Sequence, residues 1–321
     1  MDTVPLGGTG IEISRFIYGA GSIGGVGGAA ATRGLGIDAR QGKDRLTEAY
    51  ALGIRVIDTA DTYGGGESER TVGRWLARQR PGPVLVQTKV GGIASLGQQG
   101  IDLSRPHIER QLAQSIRRLG RVDLYLSHAP DPRTPLEETL TAFAAAREAG
   151  LIRAYGVSNV DARLLEALLE TAASTGLPRP EFVQNGFSLL NRADQQDLLP
   201  LAAAENIGYM AFSPLAGGVL SDRYLDGAPP APRSRIGVAG DRYYAGMHTP
   251  ENLARVARLR QAAHEKGIST AGLALAWLLA HPAVTAPIVS PSTETQWQAV
   301  REAAASGISE DEFAAVSAMF S

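Results

Sequence analysis

The chain has 321 residues, 44% of them hydrophobic, with 31 basic and 33 acidic side chains and a formal charge of −2. That length can bury a large core, as one big α/β domain or as two ordinary ones, and the dispersed, balanced charge leaves no electrostatic footprint for nucleic acid or for an anionic membrane surface. Cysteine is absent, which excludes disulfides, thiolate metal sites and cysteine nucleophiles and fits a reducing cytoplasm.

His107, His128, His248, His264 and His281 show no metal-ligand spacing, so no metal is expected. The opening MDTVPLGGTG lacks a basic n-region and an apolar h-region, and the most apolar later stretch, residues 273–280, is too short to span a bilayer. The expectation is a soluble, unprocessed, cytoplasmic protein with a small-molecule partner.

Taken in chain order, short β-rich apolar runs alternate with amphipathic stretches. A strand is predicted at 16–18, then a glycine-rich segment and a helix at 43–52. Strand 55–57 leads to helix 68–78, strand 84–88 to helix 106–119, and strand 123–127 to helix 136–149. Strand 153–157 leads to helix 161–171 and strand 182–184 to helix 194–204. After strand 209–212 comes a segment rich in Pro, Gly, Arg and Tyr, residues 217–249, too long for an ordinary connection and read as a candidate substrate loop. Helices around 251–266 and 270–280, strand 286–289 and helix 293–305 follow. Gly53, Gly120, Gly150, Gly176 and Gly267 stand where helices should end.

Eight strand-helix units without a composition break suit a single (β/α)₈ TIM barrel over residues 1–321 better than two doubly wound halves. Its active site would open at the C-terminal face, with the long loop between strands seven and eight.

Gly19, Gly21 and Gly24 spell G-x-G-x-x-G after the first strand. A dinucleotide turn of that kind needs a helix to start inside it, because the pyrophosphate rests on the helix N-terminus. Here the next residues are GVGGAAATRGLG, and glycine costs about 1 kcal/mol per helical position. The segment is therefore read as a loop at the barrel mouth.

In a barrel the strand C-termini share one face. Collected there are Asp58, Lys89, His128, Ser158, Asn159 and Gln184, with Tyr63 on the loop after Asp58. A tyrosine of pKa about 10 is a poor acid at neutral pH, and a nearby ammonium favours the phenolate and lowers that value. Asp58 would hold the ammonium charged, since two unit charges about 4 Å apart attract by about 4 kcal/mol at an effective dielectric of ~20, before desolvation. His128 would hydrogen-bond the oxygen being protonated. Asp58 and His128 are too few to ligate a catalytic metal, and Lys89 between them would repel a cation.

The strings IDTADTYGGGESER, QTKV, DLYLSHAPD, YGVSN and FSPLAGGVL together resemble the aldo-keto reductase family, over nearly the whole chain from PLGGTG to the last helix. The resemblance implies a (β/α)₈ barrel that binds NAD or NADP and passes hydride between nicotinamide and a small carbonyl, alcohol or sugar substrate. By resemblance, Tyr63 is the general acid/base, Lys89 and Asp58 tune it, and His128 orients the substrate. Ser158, Asn159 and Gln184 match positions that hold the nicotinamide carboxamide, and Phe212 matches a ring, usually tyrosine, that stacks on nicotinamide. Ser213, Pro214, Leu215 and Gly217 match pyrophosphate contacts, and Gly19 and Asp58 border the same cofactor.

One departure bears on the cofactor. Where the family often carries basic residues for the 2′-phosphate of NADP, this chain reads IVSPSTETQ, with Ser290, Ser292 and Gln296 and no basic residue before Arg301. Missing charge-assisted bonds cost about 1.5 to 3 kcal/mol each, so NAD(H) is expected to serve at least as well as NADP(H). Ile23, Ile93, Tyr243 and Tyr244, with Tyr63 and His128, are the candidate substrate-pocket residues. The N-terminal half also resembles the bacterial branch of sugar 1-dehydrogenases and pyridoxal dehydrogenases, which leans toward an aldose, a hydroxylated aldehyde or a ketosugar. The competing expectation is a nicotinamide-binding redox sensor without turnover, like the β-subunits that resemble this family and grip a membrane partner.

Overall fold

Two short antiparallel strands, β1 (Thr3–Pro5) and β2 (Glu12–Ser14), precede the predicted alternation. The computed structural model describes residues 1–92, 100–227, 229–232 and 234–321. Eight strands then follow: β3 (Ile17–Gly19), β4 (Val56–Asp58), β5 (Leu85–Val90), β6 (Leu124–Ser127), β7 (Ala154–Ser158), β8 (Phe182–Gly186), β9 (Gly208–Phe212) and β10 (Ala286–Val289). All are paired in parallel and close into a barrel when β10 meets β3. This is the (β/α)₈ architecture expected from the alternation.

The surrounding helices are α1 (Ala39–Ala51), α2 (Glu67–Gln79), α3 (Arg105–Leu119), α4 (Leu136–Glu148), α5 (Ala162–Thr175) and α6 (Leu198–Ala204), then α7 (Arg235–Tyr243), α8 (Pro250–Glu265), α9 (Thr270–Ala280), α10 (Glu294–Ala305) and α11 (Glu310–Ala318). Among the described residues no helix is long and apolar enough to cross a membrane.

The core has two layers. Ile17, Val56, Leu124, Leu126, Ala154, Phe182, Met210, Ala286 and Ile288 fill the inside of the barrel, and Leu6, Ile11 and Ile13 of the β1–β2 hairpin join that cluster and plug the N-terminal end. The larger layer lies between the strands' outer faces and the helices, with Trp75, Phe143, Tyr155, Trp277 and Trp297 buried in it. Burial on that scale, at roughly 25 cal/mol per Å² of apolar surface, is what closes the cylinder.

Four differences from expectation have local causes. Helix α1 begins at Ala39 rather than at 43, because Asp38 and Gln41 form a reciprocal capping box. Gly42 inside it is a close-packing position, where a Cβ would come 2.9 Å from Ile23 Cδ1. The stretch expected as helix 194–204 splits into a 3₁₀ turn, Ala193–Gln195, and α6. The Asp194 carboxylate accepts from Tyr209 Oη at 2.6 Å and Asn185 Nδ2 at 2.8 Å, and those bonds tie the turn to β8 and β9. Residues 217–249, expected as loop, contain α7, which Ser234 caps through the Gly237 N–H. Beyond 305, α11 stacks Phe313 on Trp277 with ring centroids 5.5 Å apart.

Candidate active site

Side chains alternate across a strand, so counting by two from each inward apolar residue reaches the barrel's upper rim. From Ile17 the count reaches Gly19, from Val56 Asp58, from Leu126 His128, from Ala154 Ser158, from Phe182 Gln184, from Met210 Phe212 and from Ile288 Ser290. On β5 the inward positions are Leu85, Gln87 and Lys89, while Thr88 points outward and donates to Glu69 of α2 at 2.6 Å. The apolar interior thus turns polar at one end, and all eight of these rim residues, Lys89 included, are among those the sequence singled out.

Lys89 and Asp58 are 1% and 4% exposed. The Lys89 ammonium donates to both Asp58 carboxylate oxygens, at 2.8 and 2.7 Å, to the Thr59 carbonyl at 2.8 Å and to the Tyr63 phenol oxygen at 3.1 Å. Its proton donors are thereby committed, and the phenol accepts from the ammonium, which leaves the phenol's own hydrogen to be donated elsewhere. Burial works to lower the Lys89 pKa, but Asp58 and Tyr63 outweigh it and the ammonium is held above its ordinary range.

For Tyr63 the balance falls the other way. Burial raises the phenol's pKa more than Lys89 lowers it, and the net shift is upward from 10.0. The sequence argument for a lowered phenol pKa is corrected here: the ammonium acts in the expected sense, but desolvation of the would-be phenolate is larger. His128 meets the Tyr63 ring edge-on, with centroids 5.5 Å apart, and burial together with Lys89 pulls its pKa down to about 3. The imidazole is therefore neutral at physiological pH. Its backbone is held from both sides, by the Val90 carbonyl at 2.8 Å and by Asn159 Nδ2 at 2.8 Å.

The glycine-rich segment turns out to carry Tyr63. Gly64, Gly65 and Gly66 follow the tyrosine with φ of 57°, 66° and 86°, left-handed values that favour glycine. The segment 21–28 lies directly on this turn: a Cβ on Gly21 would sit 3.2 Å from Tyr63 Cε2, and one on Gly64 would sit 2.8 Å from the Ile23 carbonyl oxygen. The Gly64 N–H donates to the Gly27 carbonyl at 3.3 Å. No α-helix begins until Ala39, so the segment lacks the helix start that a dinucleotide turn requires.

Ser158 Oγ donates to the Gln184 carbonyl at 2.6 Å, Gln184 Nε2 donates to Asp58 Oδ1 at 3.0 Å, and Asn159, with φ of 57°, donates to Ser158 Oγ at 3.1 Å. Phe212 is half-buried beside Gly186. Ser213, Ala216, Gly217 and Gly218 all have positive φ, from 48° to 97°, in a tight turn where the Ala216 N–H donates to the Ser213 carbonyl at 2.9 Å and the Gly218 N–H to the Leu215 carbonyl at 2.8 Å. Pro214 is buried and Leu215 half-buried beneath it. Helix α7 leans on this stretch: Tyr244 Oη lies 3.3 Å from Ser213 Oγ, and a Cβ on Gly217 would come 3.0 Å from Ile236 Cδ1. Across the rim, Ser290 Oγ donates to the Gly19 carbonyl at 2.7 Å.

Beyond Ser290, Gln296 Oε1 accepts from Ser292 N at 2.7 Å and Ser292 Oγ at 3.1 Å. Arg301 is paired with Glu294. Of the substrate-pocket candidates, Ile23 is fully buried under α1, and Tyr244 packs on the 213–217 stretch. Ile93 and the side chain of Tyr243 lie outside the described residues.

Two further residues were not anticipated. Arg45 of α1 donates to the Ser292 carbonyl at 3.3 Å and pairs with Glu48 at 2.9 Å; 247 positions separate it from Ser292, and only closure of the barrel joins them. Gln87, whose Nε2 donates to Asp58 Oδ1 at 2.7 Å, did leave a signal, since it stands two residues before Lys89 in a strand and so shares its face.

A family model described as Aldo/keto reductase family matches residues 17–320. L-glyceraldehyde 3-phosphate reductase of Escherichia coli is 33% identical over 262 residues, covering 78% of this chain and 75% of that protein. An uncharacterized oxidoreductase of Bacillus subtilis, YrpG, is 32% identical over 311 residues, covering 92% and 89%. A chain of Schizosaccharomyces pombe, assigned by name to the voltage-gated potassium channel beta subunits, is 31% identical over 300 residues, covering 91% and 84%.

Proposed function

Because the chain belongs to the aldo/keto reductase family, whose members bind NAD(P)H and act on small carbonyl substrates, we propose that it is an NAD(P)-dependent oxidoreductase with Tyr63 as its general acid and base. The substrate is an aldehyde, ketone or sugar in the reductive direction and the corresponding alcohol in the other. The observation that carries this reading is the single ammonium of Lys89, which bridges the Asp58 carboxylate and the Tyr63 phenol with neutral His128 against the same ring.

The dinucleotide, when bound, supplies the hydride. The residues present fit such a group: the turn at 213–218, with left-handed backbone at Ser213, Ala216, Gly217 and Gly218, lets the main chain come close to a diphosphate, and Asn159 and Gln184 have amide oxygens that can accept from a carboxamide. Tyr63 donates its proton to the carbonyl oxygen, and the resulting phenolate is stabilised by Lys89, itself neutralised by Asp58. His128, lacking charge, orients that oxygen by a hydrogen bond without competing with Lys89 for the phenolate. Burial of Lys89 and Asp58 keeps that ion pair out of water behind the phenol.

We further infer that NAD(H) serves at least as well as NADP(H). Arg301 is engaged by Glu294, and Arg45 by Glu48, which lowers what either can offer a dianionic phosphate.

A panel of aldehydes, ketones, aldoses and their alcohols, assayed with both dinucleotides by nicotinamide absorbance, tests the reading. Multiple turnover on at least one pair supports it. Tight dinucleotide binding with no turnover on any of them would sink it and favour the sensor reading that the channel-subunit relative suggests.

A further inference from the structure

Asp58 is coordinated unevenly. Its Oδ2 accepts from Lys89 at 2.7 Å, whereas its Oδ1 accepts three donors, Lys89 at 2.8 Å, Gln184 Nε2 at 3.0 Å and Gln87 Nε2 at 2.7 Å. Gln87 is fully buried in the barrel, one inward position below Lys89 and above the apolar interior. Its Oε1 has no hydrogen-bond partner among the described residues, and a buried carbonyl left unpaired is a standing cost to the fold. An apolar side chain of similar volume would avoid that cost and continue the interior layer. What the amide does that an apolar group cannot is donate to Asp58.

We propose that Gln87 is a positioning residue of the Asp58–Lys89–Tyr63 relay, its amide fixing the Asp58 carboxylate toward Lys89 independently of Gln184. The independence has a use that rests on the reading above. Gln184 lies at the rim, where a nicotinamide carboxamide donating to its amide oxygen would reorient the side chain, while Gln87 lies below the rim and holds Asp58 whether Gln184 is reoriented or not. Gln87 also meets part of the buried carboxylate's demand for donors opposite the ammonium. The groups facing that carboxylate are Lys89 and Gln87 from β5, Gln184 from β8 and Tyr63, through Lys89, from the turn after β4.

Gln87→Leu and Gln87→Glu test this on the full chain. Gln87→Leu should lower kcat about tenfold, the loss of roughly one hydrogen bond to a charged group, while leaving the dinucleotide dissociation constant, read by fluorescence quenching, within about twofold. It should also move the acid limb of the kcat profile upward by about half a pH unit or more, because the carboxylate has lost a donor. In the protein without dinucleotide, the carboxyl-carbon NMR titration of Asp58, assigned with Asp58→Asn, should move the same way. Gln87→Glu can donate only while its new carboxyl is protonated, so its kcat should approach that of the unmodified protein at acid pH and collapse as pH rises.

A space-filling role alone predicts that neither variant moves the acid limb or the NMR titration. A folded Gln87→Leu with kcat, acid limb and Asp58 titration all unchanged overturns the proposal. If Gln87→Leu does not fold, a Gln87→Glu profile that matches the unmodified protein overturns it. Absence of turnover in the unmodified protein would fell the oxidoreductase reading instead, and the Asp58 titration would still decide this one.

Discussion

Tyr63 and Lys89 meet twice: the ammonium donates to the phenol oxygen at 3.1 Å and lies 4.7 Å from the centre of the same ring. The two contacts leave the ring little freedom to rotate away, and the direction of the first hydrogen bond turns the phenol's proton outward. Since burial holds that phenol above its ordinary pKa, the resting side chain carries a proton, as a group that must donate one in the forward reaction should.

Tyr63→Phe removes the proton and keeps the packing. Turnover should fall by about 10² to 10⁴, with the dinucleotide dissociation constant within about threefold and the melting temperature nearly unchanged. Lys89→Met differs in kind, because it strands Asp58 as an unpaired buried charge and should cost about 3 to 5 kcal/mol of stability as well as activity. Near-native turnover in Tyr63→Phe would refute the role given to the phenol.

The two directions of the reaction should respond oppositely to pH. With the Tyr63 phenol above its ordinary pKa, carbonyl reduction should be level through neutrality and decline only above pH ~10, whereas alcohol oxidation, which needs the phenol to accept a proton, should rise with pH. A reductive rate that falls steadily between pH 6 and 9 would count against the assignment.

Acid should destabilise the fold through two imidazoles, buried His281 and half-buried His128. Burial, aided by Lys89, holds His128 at about 3, and burial, aided by Arg192, holds His281 at about 4, both below the ordinary 6.5. Below pH ~6.5 the unfolded chain takes up protons at these positions and the folded chain does not, so their contribution, complete above that pH, is lost as pH falls toward 4 and, for His128, toward 3. Melting temperatures should drop across that window, and His281→Gln should drop less than the unmodified protein. Parallel curves for the two proteins would disprove a titrating His281.

Gly21→Ala tests the role assigned to the glycine-rich segment. Its methyl would lie 3.2 Å from Tyr63 Cε2, so the ring must shift by a few tenths of an ångström. If a 1 Å misplacement costs about 10²-fold in rate, this shift should cost roughly threefold to tenfold in kcat, with stability changed by less than about 1 kcal/mol. An unchanged kcat would show that the segment does not position the phenol.

Cofactor choice is open to a charge change at one remove. Glu294→Gln frees Arg301 from its partner and should raise the efficiency with NADPH relative to NADH severalfold, within the reach of one charge-assisted bond. A ratio that does not move would place Arg301 out of reach of the phosphate.

What local sequence determined was the beat and the rim. Apolar runs of strand length, glycines that end helices, and polar residues just after each run are short-range signals, and they recovered all eight barrel strands and brought Asp58, Tyr63, Lys89 and His128 to one end. Tertiary structure alone decided what depends on distant neighbours. The β1–β2 hairpin became a plug because the open end of a closed barrel needs one, Asp194 broke a predicted helix because Tyr209 and Asn185 claim its carboxylate, and Arg45 reached Ser292 only through the seam between β10 and β3. The sign of the Tyr63 shift belongs to the same class. A neighbouring charge can be read from spacing once a barrel is assumed, but the desolvation that outweighs it exists only when the assembled fold surrounds the phenol, which it leaves half-buried.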